Sequence, residues 1–129
     1  MAEKDVISTD RAPGPFQGAP YNQAIRVGDL VFVAGQLGIS RETGALAGAD
    51  VATQTEQIMA NLAAILEAAG SGLDSLLKTT VFLMDLADFA AMNEVYARHV
   101  GDRPPARSTV QISGLPSGAL VEIEAVAHV

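Results

Sequence analysis

Apolar residues recur along this chain in two rhythms. Over residues 50–69, Val51, Ile58, Leu62, Ile65 and Ala69 follow one another at spacings of seven, four, three and four, which lines one face of an amphipathic helix. Asp50 offers an N-cap carboxylate and Gly70 a C-terminal stop, so both helix ends are marked. A second helix is predicted over about 86–99, started by Asp85 and ended by Gly101 and Pro104-Pro105. The remaining apolar runs are short, rich in β-branched residues and bounded by Gly, Pro or Asp. They predict strands at 5–9, 23–26, 30–34, 78–84, 107–113 and 119–129. LVFVA at 30–34 is apolar at every position, which predicts burial on both faces. The last two strands, joined at GLPSG, read as a hairpin. RAPGPFQGAPYNQ is expected to be an irregular loop anchored by Phe16 and Tyr21, and SRETGALAG a polar one.

Three strands, a helix, a strand, a helix and two strands predict one α+β domain spanning 1–129, a mixed sheet with both helices on one face. Its other face needs a cover. The chain has 129 residues, 49% hydrophobic and only 18% charged, which is apolar for a small monomer. A partner subunit is therefore expected against part of its surface.

Charge narrows the function classes. The net charge is −7 and the eight Lys and Arg are scattered without a basic stripe, which argues against nucleic acid as a partner. No apolar run reaches membrane-spanning length and MAEKDVISTD lacks a signal-peptide core, so no membrane role and a cytoplasmic location are expected. With no Cys, disulfides, thiolate nucleophiles and thiolate metal sites are all excluded.

The last strand carries the candidate chemistry. Val121, Ile123, Ala125 and Ala127 share one face; Leu120, Glu122, Glu124 and Val126 share the other. Two carboxylates between apolar neighbours, beside a strand that opens with Arg107, are unusual in so apolar a chain. The Arg guanidinium is a planar fork suited to a carboxylate, and a Glu near a ligand can act as a general base. Together they suit a small carboxylate substrate that reacts with water; the structural alternative is an Arg–Glu ion pair. Other groups are weaker. His99 sits where a helix C-terminus favours a cation. His128 lies about 20 Å along the strand from Glu122. Asp85 and Asp88 fit a helix start better than a metal site, and GSG at 70–72 lacks phosphate-loop spacing. Met59, Met84 and Met92 read as core, and Thr79-Thr80 as strand formers.

PPARSTVQISGLPSGALVEIEAVA resembles the signature of the Rid (reactive intermediate deaminase) family. The likeness extends through VISTDRAPG, PYNQAIRVGDLVFVAGQLG, QIMANLAAILEAAG and LLKTTVFLMDLADFAAMNEVY. It implies a chorismate-mutase-like (YjgF-like) α+β fold and a homotrimer with three sites in clefts between subunits. It also implies hydrolysis of 2-imino acids such as 2-iminobutanoate to 2-oxo acids and ammonia, with no metal or cofactor. By the same resemblance Arg107 holds the substrate carboxylate and Glu122 positions or activates water. Tyr21 and Asn93 line the ligand, Gly35 brings a backbone amide to it, and Glu124 is structural. Three departures stand out. Ala34 replaces a usual Ser, Thr109 a frequent Cys, and the loop before Tyr21 is longer and carries Phe16. They imply a changed pocket wall, and with it another imine substrate or weaker activity. Two other functions compete. An endoribonuclease would have to draw RNA to a chain of charge −7, with neither His near Glu122. A metabolite-sensing or chaperone-like trimer would bind a small metabolite in the same cleft, and the retention of both Arg107 and Glu122 argues against it.

Overall fold

The computed structural model describes residues 3–129. Strands β1 (Asp5–Ile7), β2 (Ala24–Val27) and β3 (Leu30–Leu37) form an antiparallel meander. Helix α1 (Val51–Ala68) leads to β4 (Leu76–Leu83), and helix α2 (Phe89–Val100) leads to β5 (Ala106–Gln111). The last strand, β6 (Val121–His128), inserts between β3 and β4, so the sheet order is β1-β2-β3-β6-β4-β5. The expected hairpin of the last two strands is therefore wrong. β5 pairs in parallel with β4, and β6 lies on the far side of β4. Parallel neighbours need a crossover, and α2 supplies it between β4 and β5.

The helix signals act where the sequence put them. The Asp50 carboxylate accepts from Thr53 N at 3.3 Å, and hydrogen bonding to the Thr53 side chain, then to its backbone N–H, lowers the Asp50 pKa. Gly70 takes φ +83°, in the left-handed region that ends helices. Asp85 accepts from Ala87 N at 2.8 Å and starts a short 3-10 turn, Leu86–Asp88, ahead of α2. Val51, Ile58, Leu62, Ile65 and Ala69 are all buried against the sheet, with Val31, Val33, Val81, Val121, Ile123 and Ala127 beneath them. Gln54 crosses this layer, its side-chain oxygen accepting from Leu120 N at 2.8 Å and its amide donating to Gly48 O. His99 does not cap its own helix. Its Nε2 meets Glu56 Oε1 at 2.7 Å and ties α2 to α1.

Both helices lie on one face of the sheet. The register places Val6, Ile25, Phe32, Val126, Phe82 and Val110 on the other, with Glu122 and Glu124. Phe32 is 44% exposed there and Val110 43%. LVFVA is thus buried on one side only: Val31 and Val33 enter the core, while Leu30 and Phe32 face outward. An exposed apolar sheet face of this kind marks an interaction surface.

Candidate active site

The predicted residues gather into two groups, on opposite faces of the sheet. The first is on the helix side. Arg107 pairs in register with Thr79 of β4 and points toward α2. Its guanidinium carbon is 4.9 Å from the centroid of the Tyr96 ring and 5.4 Å from that of Phe89. Seven residues separate Phe89 from Tyr96, about 10.5 Å along the helix axis, so the guanidinium spans the gap between two rings. Asn93 lies between them on the same helix face, its Oδ1 buried without a hydrogen-bond partner. Thr109 follows Arg107 on the same side of β5. The Tyr96 hydroxyl and the Thr79 hydroxyl meet at 2.6 Å in a buried hydrogen bond. Burial raises the Tyr96 pKa, against the bond to Thr79 and the charge of Arg107.

Among the described residues Arg107 makes no salt bridge; the ion pairs are Arg11–Glu67 and His99–Glu56. The Arg–Glu pair weighed as the structural alternative is absent. A cation stacked on aromatic rings and lacking a counter-ion is arranged to meet an anion.

The second group lies on the open face. Glu122 is opposite Phe82 of β4 and is half-buried. Its carboxyl lies directly over Gly35: a Cβ added there would fall 2.7 Å from Cδ and 2.8 Å from Oε2. A β-bulge makes this approach. Val33 pairs with Ala125 and Gln36 with Ile123, so β3 carries one extra residue across Ala34-Gly35. Burial raises the Glu122 pKa, and the charge of Glu124, on the same face, adds to the rise. In front of Gly35 opens a cavity of about 580 Å³, lined by Phe16, Tyr21, Gln36, Leu37 and Arg41 among others. Its rim is a fixed loop. Gln23 accepts from Thr9 N at 2.7 Å and donates to Pro13 O at 2.8 Å, and the Tyr21 hydroxyl accepts from Phe16 N at 2.6 Å.

The two groups do not meet within one chain. Arg107 and Glu122 flank β4 on opposite sides, paired with Thr79 and Phe82. Two strand spacings and three residues of rise put their backbones about 14 Å apart, with side chains on opposite faces. The expectation that they sit on neighbouring strands in one register is corrected by the β4 strand between them. Tyr21 and Gly35 line the cavity, with the Glu122 carboxyl over Gly35; Arg107, Asn93 and Thr109 lie on the helix side. Phe89 and Tyr96 were not singled out from the sequence, although their spacing about Asn93 places all three on one helix face.

The chain is a small α+β protein with a cation and a carboxylate on separate surfaces of one sheet. A family model described as Endoribonuclease L-PSP matches residues 11–129. A RutC family protein of Pyrococcus abyssi is 49% identical over 125 residues, 97% of each chain. The human 2-iminobutanoate/2-iminopropanoate deaminase is 41% identical, over 95% of this chain and 88% of its own. The crystal structure of RidA from an Antarctic Psychrobacter superposes with a TM-score of 0.92 at 42% identity, over 97% of this chain and 99% of that one. The chain belongs to the Rid/YjgF family.

Proposed function

We propose that this protein hydrolyses reactive 2-imino acids to 2-oxo acids and ammonia. The observation that carries the reading is an Arg107 held on two aromatic rings with no carboxylate of its own. Arg107 grips the substrate carboxylate through two parallel N–H donors and so fixes the adjacent imine carbon. Water adds to that carbon, with Glu122 holding the water and accepting its proton. The proton then passes to the nitrogen of the tetrahedral intermediate. The C–N bond breaks, the C=O bond forms and ammonia leaves, so the sum is imino acid plus water giving oxo acid plus ammonia. The name of the human relative, 41% identical, supports the substrate class. Tyr21, Asn93 and the Gly35 amide line the pocket, and Ala34 and Thr109 set a wall suited to a different imine side chain. The test is ammonia release from an imine generated in situ by an amino-acid oxidase, run beside an RNA degradation assay. Accelerated release with intact RNA is expected; RNA cleavage without imine hydrolysis would replace this reading with the nuclease one.

The opposite-face geometry supports a site shared between copies. One chain cannot bring both groups to a substrate of a few atoms, and the open apolar face needs covering. A homotrimer in which each cleft takes Arg107 from one subunit and Glu122 from the next satisfies both needs. Arg107→Lys and Glu122→Gln subunits, each impaired alone, should then complement when refolded together. About a quarter of the clefts in an equal, random mixture would hold both native residues, and activity should return in that proportion. A mixture as inactive as its parents would place both groups in one subunit.

A further inference from the structure

Arg107 is held without a carboxylate, and the means of holding it lies in residues given no role so far. We propose that Tyr96 is a positioning residue: its ring, locked by the bond from its hydroxyl to Thr79, forms with Phe89 a clamp that fixes the plane of the Arg107 guanidinium. This rests on Arg107 as the carboxylate-binding group. The distances are 4.9 and 5.4 Å to the two rings and 2.6 Å between the hydroxyls, and Tyr96 and Thr79 are buried. An Arg is usually oriented by an acidic partner, which occupies its N–H donors and offsets its charge. Ring faces hold it by cation–π attraction, without the carboxylate that would occupy its donors and offset its charge. The clamp therefore supplies a preset fork with its full charge available. An acidic residue in place of either ring would orient the guanidinium but compete with the substrate for it. Thr79 sits directly opposite Arg107 in the β4–β5 register, so the same pairing that places the cation places the tether of the ring beneath it. The phenol is buried, which raises its pKa, and Tyr96 acts here through its ring.

The experiment uses two readouts. In the ligand-free protein, the Arg107 Nε–H resonance, assigned by its loss in Arg107→Lys, should be displaced by the ring currents and narrow. In Tyr96→Leu it should return toward the free-arginine position. The Kd for 2-oxobutanoate and the KM for the imine should rise about tenfold, the scale of one desolvated ring contact, while kcat changes much less. Tyr96→Phe, which keeps the ring and loses the tether, should fall between. Should Tyr96→Leu fail to fold, Thr79→Val removes only the tethering hydroxyl and should move the resonance part of the way with about a threefold weaker Kd. An unmoved resonance and an unchanged Kd in a folded variant would overturn the clamp. A wild type whose displaced resonance collapses in Tyr96→Leu, yet which binds no 2-oxo acid, would uphold the clamp and refute the function proposed above.

Discussion

Glu122→Gln is expected to bind a 2-oxo acid with near-native affinity while imine hydrolysis falls by about a hundredfold or more, the usual scale for loss of a general base. Gln keeps the size and hydrogen-bonding capacity of Glu but cannot take a proton from water. Activity of the native protein should decline as pH falls through the Glu122 pKa, and burial places that decline above the usual carboxylate range. Glu124→Gln removes a neighbouring charge that helps raise this pKa, so it should move the acid limb to lower pH and leave the plateau nearly intact. Stability has the opposite sign. A carboxyl whose folded pKa is raised contributes stability that is present below its unfolded pKa and lost as pH rises through the folded one. Gln never ionises and escapes that loss. The variant should thus melt no lower than the native protein at neutral pH, and its advantage should disappear in acid. Titration with 2-oxobutanoate, pH–rate profiles and thermal melts check these together. A Glu122→Gln variant with normal turnover, or an inactive Glu124→Gln, would reverse the roles of the two residues.

Arg107→Lys should lower catalytic efficiency by roughly tenfold to a thousandfold, from one lost charge-assisted hydrogen bond and the positioning that goes with it. Lys keeps the charge but offers no planar fork, and its compact ammonium cannot span the two rings as the guanidinium does. Folding should barely change, because Arg107 lies on the edge strand β5, is only part-buried and has no ion pair to leave orphaned. Steady-state kinetics with an in situ imine, beside a denaturant melt, measure both effects. Full activity would remove Arg107 from the substrate; loss of the fold would return it to a structural part.

The helices were legible because their signals are local. Periodicity and caps around α1 depend on residues within a few turns, and Asp50, Gly70 and Asp85 act as read. Strand neighbours depend on partners far along the chain. GLPSG looked like a hairpin turn, yet Pro116–Gly118 forms a 3-10 turn and the chain passes beyond β4 before pairing. The strand–helix–strand run 78–113 already held the signature of a parallel crossover, which competed with the turn and prevailed. LVFVA misled for a different reason: an exposed apolar sheet face reads like a core, and composition alone does not separate the two. Among the site residues, Arg107 and Glu122 stood out as charges in apolar runs. Phe89 and Tyr96 gave no signal of their own, because only the register of β5 brings a cation over them.

The bulge at Ala34-Gly35 has a consequence for which sequences this fold can explore. Gly35 has no left-handed φ, so its backbone would accept any residue. What a larger one meets is the Glu122 carboxyl, 2.7 Å from where the first side-chain carbon would stand, and that carboxyl would have to turn away. Tolerance at 35 is therefore dictated by position 122 rather than by the local chain. Alanine at 35 would push the carboxyl out of its seat, and a shortened side chain at 122 would give the methyl room. Along a mutational path, a larger residue at 35 keeps its place only with the Glu122 carboxyl displaced or shortened, so the two positions change together.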